Sequence, residues 1–139
     1  MLTTRIERII AKGQLVPLNF GQTNVAISQV DVQLVAEQAD GITMPFAGEI
    51  VAVTYALSAN KTAGVMTVGP TVGGTEVSTL TVTAANGTAT GRKLVKRRTA
   101  AFAAGAVIGA EITTDASFLP AASAELNVTV WVILSIEGI

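Results

Sequence analysis

The stretch Leu126-Asn-Val-Thr-Val-Trp-Val-Ile-Leu-Ser-Ile136 puts Leu126, Val128, Val130, Val132, Leu134 and Ile136 at every second position without a break. Successive side chains of a β-strand point to opposite faces, so six apolar residues at period two build one continuous apolar face. An α-helix would scatter the same residues around its circumference. The other face carries Asn127, Thr129, Trp131, Ile133 and Ser135. Trp131 and Ile133 make that face partly apolar too. The pattern predicts a central strand packed on a core, with something covering its second face.

Shorter runs upstream repeat the theme. In Ile50–Leu57 the groups Val51, Val53, Tyr55 and Leu57 share one face, with Ala52, Thr54 and Ala56 opposite. Val65–Val72 reads as the next strand, and Gly73-Gly74 as a tight turn. Val77–Thr83 alternates Leu80 and Val82 with outward threonines. Asn86-Gly87 closes another hairpin and leads into a basic strand, and Ala106–Thr113 follows a glycine turn. Between residues 14 and 36, Val25 and Ile27 alternate in one phase and Val30, Val32 and Leu34 in the other, which predicts a bulge or two short strands. About eight strands at short spacing, with little helical period after residue 13, predict an all-β fold. The expected architecture is a sandwich or jelly-roll-like domain over residues 14–139.

Residues 1–13 differ from the rest. Leu2, Ile6, Ile9 and Ile10 fall at i, i+4, i+7 and i+8, with Arg5, Glu7, Arg8 and Lys12 elsewhere. A piece this short is not a stable helix alone, so it must dock on something. It reads as a short helical or extended N-terminal arm that packs on its own domain or reaches a neighbouring subunit.

The charged fraction is 14% in a chain of net charge −1, against roughly 25% in a typical soluble domain. So little charge predicts permanent assembly with other subunits. The sequence holds no cysteine and no histidine. Thiolate chemistry, disulfides and the commonest metal ligand are thereby excluded. The carboxylates Asp31, Glu49, Glu76, Glu111, Asp115 and Glu125 are scattered along the chain, and Val68–Thr75 lacks the Lys-Ser/Thr of a phosphate loop. No catalytic, cofactor or metal site is expected. No segment reaches the ~18 apolar residues that span a bilayer as a helix.

Five of the nine basic residues lie in Gly91-Arg-Lys-Leu-Val-Lys-Arg-Arg-Thr99. As one strand, this stretch puts Arg92, Lys96 and Arg98 on one face with Leu94, and Lys93 and Arg97 on the other with Val95. Charge on both faces suits an edge strand, where it blocks unwanted pairing. It also suits a salt-sensitive contact with an acidic protein surface. Nucleic acid and anionic membrane fit less well. Single-strand binders add aromatic stacking platforms, and none lies within 91–99.

The runs Pro45-Phe-Ala-Gly-Glu-Ile-Val-Ala-Val-Thr-Tyr-Ala-Leu-Ser-Ala-Asn-Lys-Thr-Ala-Gly64, Phe102-Ala-Ala-Gly-Ala-Val-Ile-Gly109 and Leu126–Leu134 resemble tailed-phage capsid decoration (cement) proteins in strand texture and Ala/Thr/Gly richness. The resemblance implies a β-domain that trimerises, sits on the outer face of an icosahedral shell, and ties neighbours together through terminal arms. Partners would be further copies of itself and the major capsid protein, with no nucleic acid and no membrane. Leu2, Ile6, Ile9 and Ile10 would then be docking residues, and Arg92, Lys93, Lys96, Arg97 and Arg98 a second contact. The alternative is a receptor- or carbohydrate-binding β-module of a tail or fibre, which would need Trp131 or Tyr55 exposed.

Overall fold

The computed structural model describes residues 14–37 and 39–135, where the chain forms eleven strands: β1 (Gln14–Gln22), β2 (Val32–Gln33), β3 (Ile42–Thr43), β4 (Gly48–Leu57), β5 (Met66–Val72), β6 (Thr75–Glu76), β7 (Val82–Thr83), β8 (Thr90–Leu94), β9 (Ala100–Phe102), β10 (Val107–Thr114) and β11 (Leu126–Leu134). Three pairs of short strands share a partner. β2 and β3 both lie along β10, β6 and β7 along β5, and β8 and β9 along β4. Counting each pair as one interrupted strand leaves eight. One sheet, A, then runs β1-β11-β4-β8/β9, and the other, B, runs β2/β3-β10-β5-β6/β7. In chain order this is first-eighth-third-sixth against second-seventh-fourth-fifth, the jelly-roll arrangement of two packed sheets.

β11 is the central strand its alternation predicts. It pairs antiparallel with β1 from Gln14↔Leu134 to Gln22↔Leu126, and with β4 on its other side. Leu126, Val128, Val130 and Val132 are buried in the core between the sheets, and Leu134 is half-buried. Ile136 and residues 1–13, with Leu2, Ile6, Ile9 and Ile10, lie outside the described residues. From sheet B, Met66, Val68, Ile108, Ala110 and Ile112 meet the β11 residues across a single core.

Four expectations change in detail. First, β4 does not alternate throughout. Trp131 pairs with Ala52 and Val132 with Ile50, so Val51 is an extra residue in a β-bulge. Ile50 therefore takes the core position and Val51 turns out half-exposed. Second, the two-phase alternation at 25–34 is mostly loop. Left-handed backbone at Asn24, Ser28 and Asp31 breaks it, and only Val32–Gln33 is strand. Third, Ser78–Leu80 is a 3₁₀ turn, though Leu80 and Val82 are buried as their spacing implies. Fourth, Asn86-Gly87 closes no hairpin. β7 belongs to sheet B and β8 to sheet A, so this turn carries the chain between sheets. Gly73-Gly74 is the expected tight turn, both residues taking positive φ between β5 and β6.

Candidate functional site

The outer face of sheet A carries an apolar groove of about 350 Å³. Its floor is Trp131 on β11, flanked by Leu15 on β1, Val51 and Ala52 on β4, and Leu94 on β8. Strand pairing builds it. Leu15 lies opposite Ile133, Trp131 opposite both Pro17 and Ala52, and Ala52 opposite Leu94. The bulge matters here, because it adds Val51 to the outer side. Leu15 is 54% and Leu94 64% exposed. The Trp131 indole Nε1–H donates to Thr54 Oγ1 at 3.0 Å, which fixes the ring across the strands. Its polar edge is thereby occupied, and the ring offers an apolar surface. Tyr55, by contrast, is buried at the core side of β4, only 4% exposed.

The basic stretch divides by role. Arg92 and Lys93 lie on β8, an edge strand as expected, but the strand ends at Leu94. Residues 95–99 form an excursion opposite Val51 before the edge resumes at Ala100↔Ile50. Lys96, Arg97 and Arg98 thus occupy a turn, not the continuation of a strand, and the even division over two faces does not hold. The cause is Glu49. This buried carboxylate accepts from Arg97 Nε and, at 3.0 Å, from the backbone N–H of Arg98, whose φ is +67°. Lys93 Nζ donates to the Thr81 carbonyl at 3.3 Å, reaching from sheet A to sheet B. Among the described residues Arg92, Lys96 and Arg98 form no ion pair. Arg92 lies along one side of the groove.

The carboxylates that look scattered in sequence are not all apart. Asp31, Glu76 and Glu111 bring one oxygen each to within 4.8 Å of one another on the outer side of sheet B. Pairing explains the meeting: Glu111 lies opposite Gly69 and Gln33, while Glu76 lies opposite Thr71, two residues along β5. Glu111 is 5% exposed. Burial, then the charges of Glu76 and Asp31, raise its pKa to about 7, and the Gln33 amide, donating at 3.3 Å, works the other way. Three such oxygens can share a proton or ligate a hard divalent cation. Nothing in their sequence spacing signals this, because the neighbours are created by sheet order.

No protein-family model and no curated protein matches the chain. Among solved structures, a chain of the acidic stable capsid structure of Helicobacter pylori bacteriophage KHP30 aligns with a TM-score of 0.49 at 14% identity, over 87% of this chain and 88% of that one.

Proposed function

We propose that this chain is a structural protein of a phage virion, a decoration protein that binds the outer shell and stabilises it by contacts between subunits. The observation that carries this reading is the exposed apolar groove around Trp131, with Arg92 at its side and Lys96 and Arg98 on the turn that follows β8. An apolar patch rimmed by charge is the pattern of a protein-binding surface. The strand texture shared with decoration proteins and the low charge of the chain support it. On this reading the protein works by surface burial, at roughly 25 cal/mol per Å² of apolar area before association costs. It performs no catalysis and needs no cofactor. A trimer is the expected assembly, with the major capsid protein as its partner.

Co-sedimentation with purified phage shells tests the proposal. Saturable binding that raises the temperature at which shells open is expected, and a protein left in the supernatant at every salt concentration would refute it.

The half-exposed Trp131 favours one second reading, a carbohydrate-binding module of a tail or fibre. Its groove neighbours are chiefly apolar and its indole N–H is taken by Thr54, which leaves few polar groups to orient a sugar. Binding on a glycan array that disappears in a folded Trp131→Ala variant would establish that reading instead.

A further inference from the structure

We infer that the free edge of β8 accepts one further strand from a partner, an extended segment that carries acidic residues beside apolar ones. The direction of the backbone bonds shows what this edge offers. Leu57 N–H donates to the Ala89 carbonyl at 2.7 Å and Val95 N–H to the Val51 carbonyl at 3.0 Å, so the odd-numbered residues of this stretch bond toward β4. The register agrees, with Gly91 opposite Tyr55 and Lys93 opposite Val53. In an antiparallel ladder the residues between them turn their N–H and C=O groups the other way. Thr90, Arg92 and Leu94 therefore hold three donors and three acceptors along the outer edge, and no strand among the described residues pairs there. Thr90, Arg92, Lys93 and Leu94 are all exposed.

The other sheet edges are blunted, as native sheets require against unwanted pairing. In β1, Pro17 has no N–H to offer on the side away from β11, the side on which Gly21 bonds Val35. On sheet B each edge is split into two-residue pieces, β2 with β3 and β6 with β7. β8 has neither a proline nor a break. Its protection is the charge of Arg92 and Lys93, and charge of one sign is selective. A second copy of β8 laid antiparallel and in register sets cation against cation, which is unfavourable across a strand pair. A segment with Asp or Glu at those places is attracted instead. Arg92, Lys96 and Arg98 form no ion pair among the described residues, and no carboxylate lines the groove.

The outer-face side chains fit such a strand. Leu94 borders the groove over Trp131, Thr90 borders a second recess of about 420 Å³ with Thr54 and Gly91, and Arg92 lines both. A strand paired here sets an apolar residue against Leu94, a carboxylate against Arg92 and a small polar residue against Thr90. Its continuation passes the turn that holds Lys96 and Arg98. Main-chain bonds then supply affinity, and alternate side chains supply selectivity.

The inference rests on the reading of this face as a protein-binding surface, and a test on the full chain alone keeps the two apart. The probe is the blocked peptide EELTEVTV, which in antiparallel pairing sets leucine, glutamate and threonine opposite Leu94, Arg92 and Thr90. Amide hydrogen exchange is followed by NMR with and without peptide. Saturating peptide should slow exchange at Thr90, Arg92 and Leu94 by about tenfold, and leave Gly91 and Lys93, already bonded to β4, unchanged. The peptide KKLTKVTV should give no protection. Nor should EELTEVTV N-methylated at its leucine and central glutamate, whose N–H groups face β8, while N-methylation of the two residues that follow them should be tolerated. Absence of protection by EELTEVTV, or equal protection by the lysine peptide, would overturn the inference. So would protection of the three amides in the protein without peptide, which would give the edge to a second copy or to the chain itself. Shells that bind while these amides still exchange freely would sink strand addition and leave the virion reading intact; protection by peptide without shell binding would do the reverse.

Discussion

The Glu49 carboxylate holds Arg97: buried at 8% exposure, it accepts from Arg97 Nε with one oxygen and from the Arg98 backbone N–H, at 3.0 Å, with the other. Arg97 is thus a brace for the 95–99 excursion, and its neighbours are the cations left over for a partner. Glu49→Ala removes both acceptors. Because Arg97 is largely solvated, its lost ion pair contributes little, and the unsatisfied backbone N–H dominates. A destabilisation of about 1–2 kcal/mol is expected by urea denaturation. Glu49→Gln keeps one acceptor geometry and should lose less. An unchanged midpoint in Glu49→Ala would mean the turn holds itself without the brace.

Glu111 makes a pH prediction with a definite sign. Its carboxyl is raised from 4.5 to about 7 in the folded protein, mainly by burial and then by Glu76 and Asp31. Below about pH 4.5 folded and unfolded chains both carry the proton, and the group's stabilising contribution is complete. As pH rises toward 7 the unfolded chain has released its proton while the folded one still holds it, so stability falls; above about 7 the loss is complete. The loss is on the order of 3 kcal/mol. Glu111→Gln cannot titrate. Subtracting its stability profile from that of the parent between pH 4 and 8 should isolate the decline. A flat difference would show that the three carboxylates do not interact as their separation implies.

Gly91 is required by Tyr55. A Cβ at Gly91 would collide with Cε1 of the Tyr55 ring, which is buried at 4% exposure. Gly91→Ala must therefore shift β8 or the ring, and overpacking of this kind costs about 1–3 kcal/mol. Truncating the ring in Gly91→Ala/Tyr55→Leu should recover part of that loss, which separates a steric cause from a backbone one. Strictly additive effects in thermal unfolding would argue against the clash.

Lys61 is a lysine at 2% exposure, whose Nζ donates to the Gly64 carbonyl and to Asn86 Oδ1. It ties the loop after β4 to the turn that crosses between sheets. Lys61→Met preserves the length of the side chain but leaves two acceptors without a donor. Each buried acceptor left unpaired costs about 1–3 kcal/mol, so a marked fall in melting temperature is expected. No fall would mean that water replaces the ammonium.

The legible part of this fold was what period two encodes. Leu126–Leu134 announces the central strand because its own alternation is unbroken, the bulge falling on its partner β4, and eight strands, three of them interrupted, follow from the turn residues between the runs. Three things were not legible for physical reasons. The bulge at Val51 moves one residue to the other face without changing composition, so Ile50 and Val51 exchange roles silently. The turn that follows the edge strand after Leu94 is braced by Glu49, some 45 residues earlier in the chain. The meeting of Asp31, Glu76 and Glu111 depends on which strands are neighbours, and no spacing carries that. For the groove, Trp131 and Ile133 on the second face of β11 were a true signal, but its walls at Leu15 and Leu94 needed the register.

The division of the basic stretch gives the last prediction. Arg92 lies beside the groove, while Lys96 and Arg98 stand on the adjoining turn, and none of the three pairs with a described carboxylate. Reversing all three to glutamate should leave thermal stability near the parent value, because no ion pair among the described residues is broken. If these cations face an acidic shell surface, the same triple variant should bind shells more weakly. The deficit should be largest at low salt and shrink as the Debye length falls from about 10 Å at 0.1 M to about 3 Å at 1 M. Arg97→Glu should behave oppositely, lowering stability through repulsion with Glu49, most at low salt. Shell binding by the triple variant equal to that of the parent at low salt would reduce the cluster to a solvated edge. Equal losses of stability in both variants would contradict the separation of brace and contact.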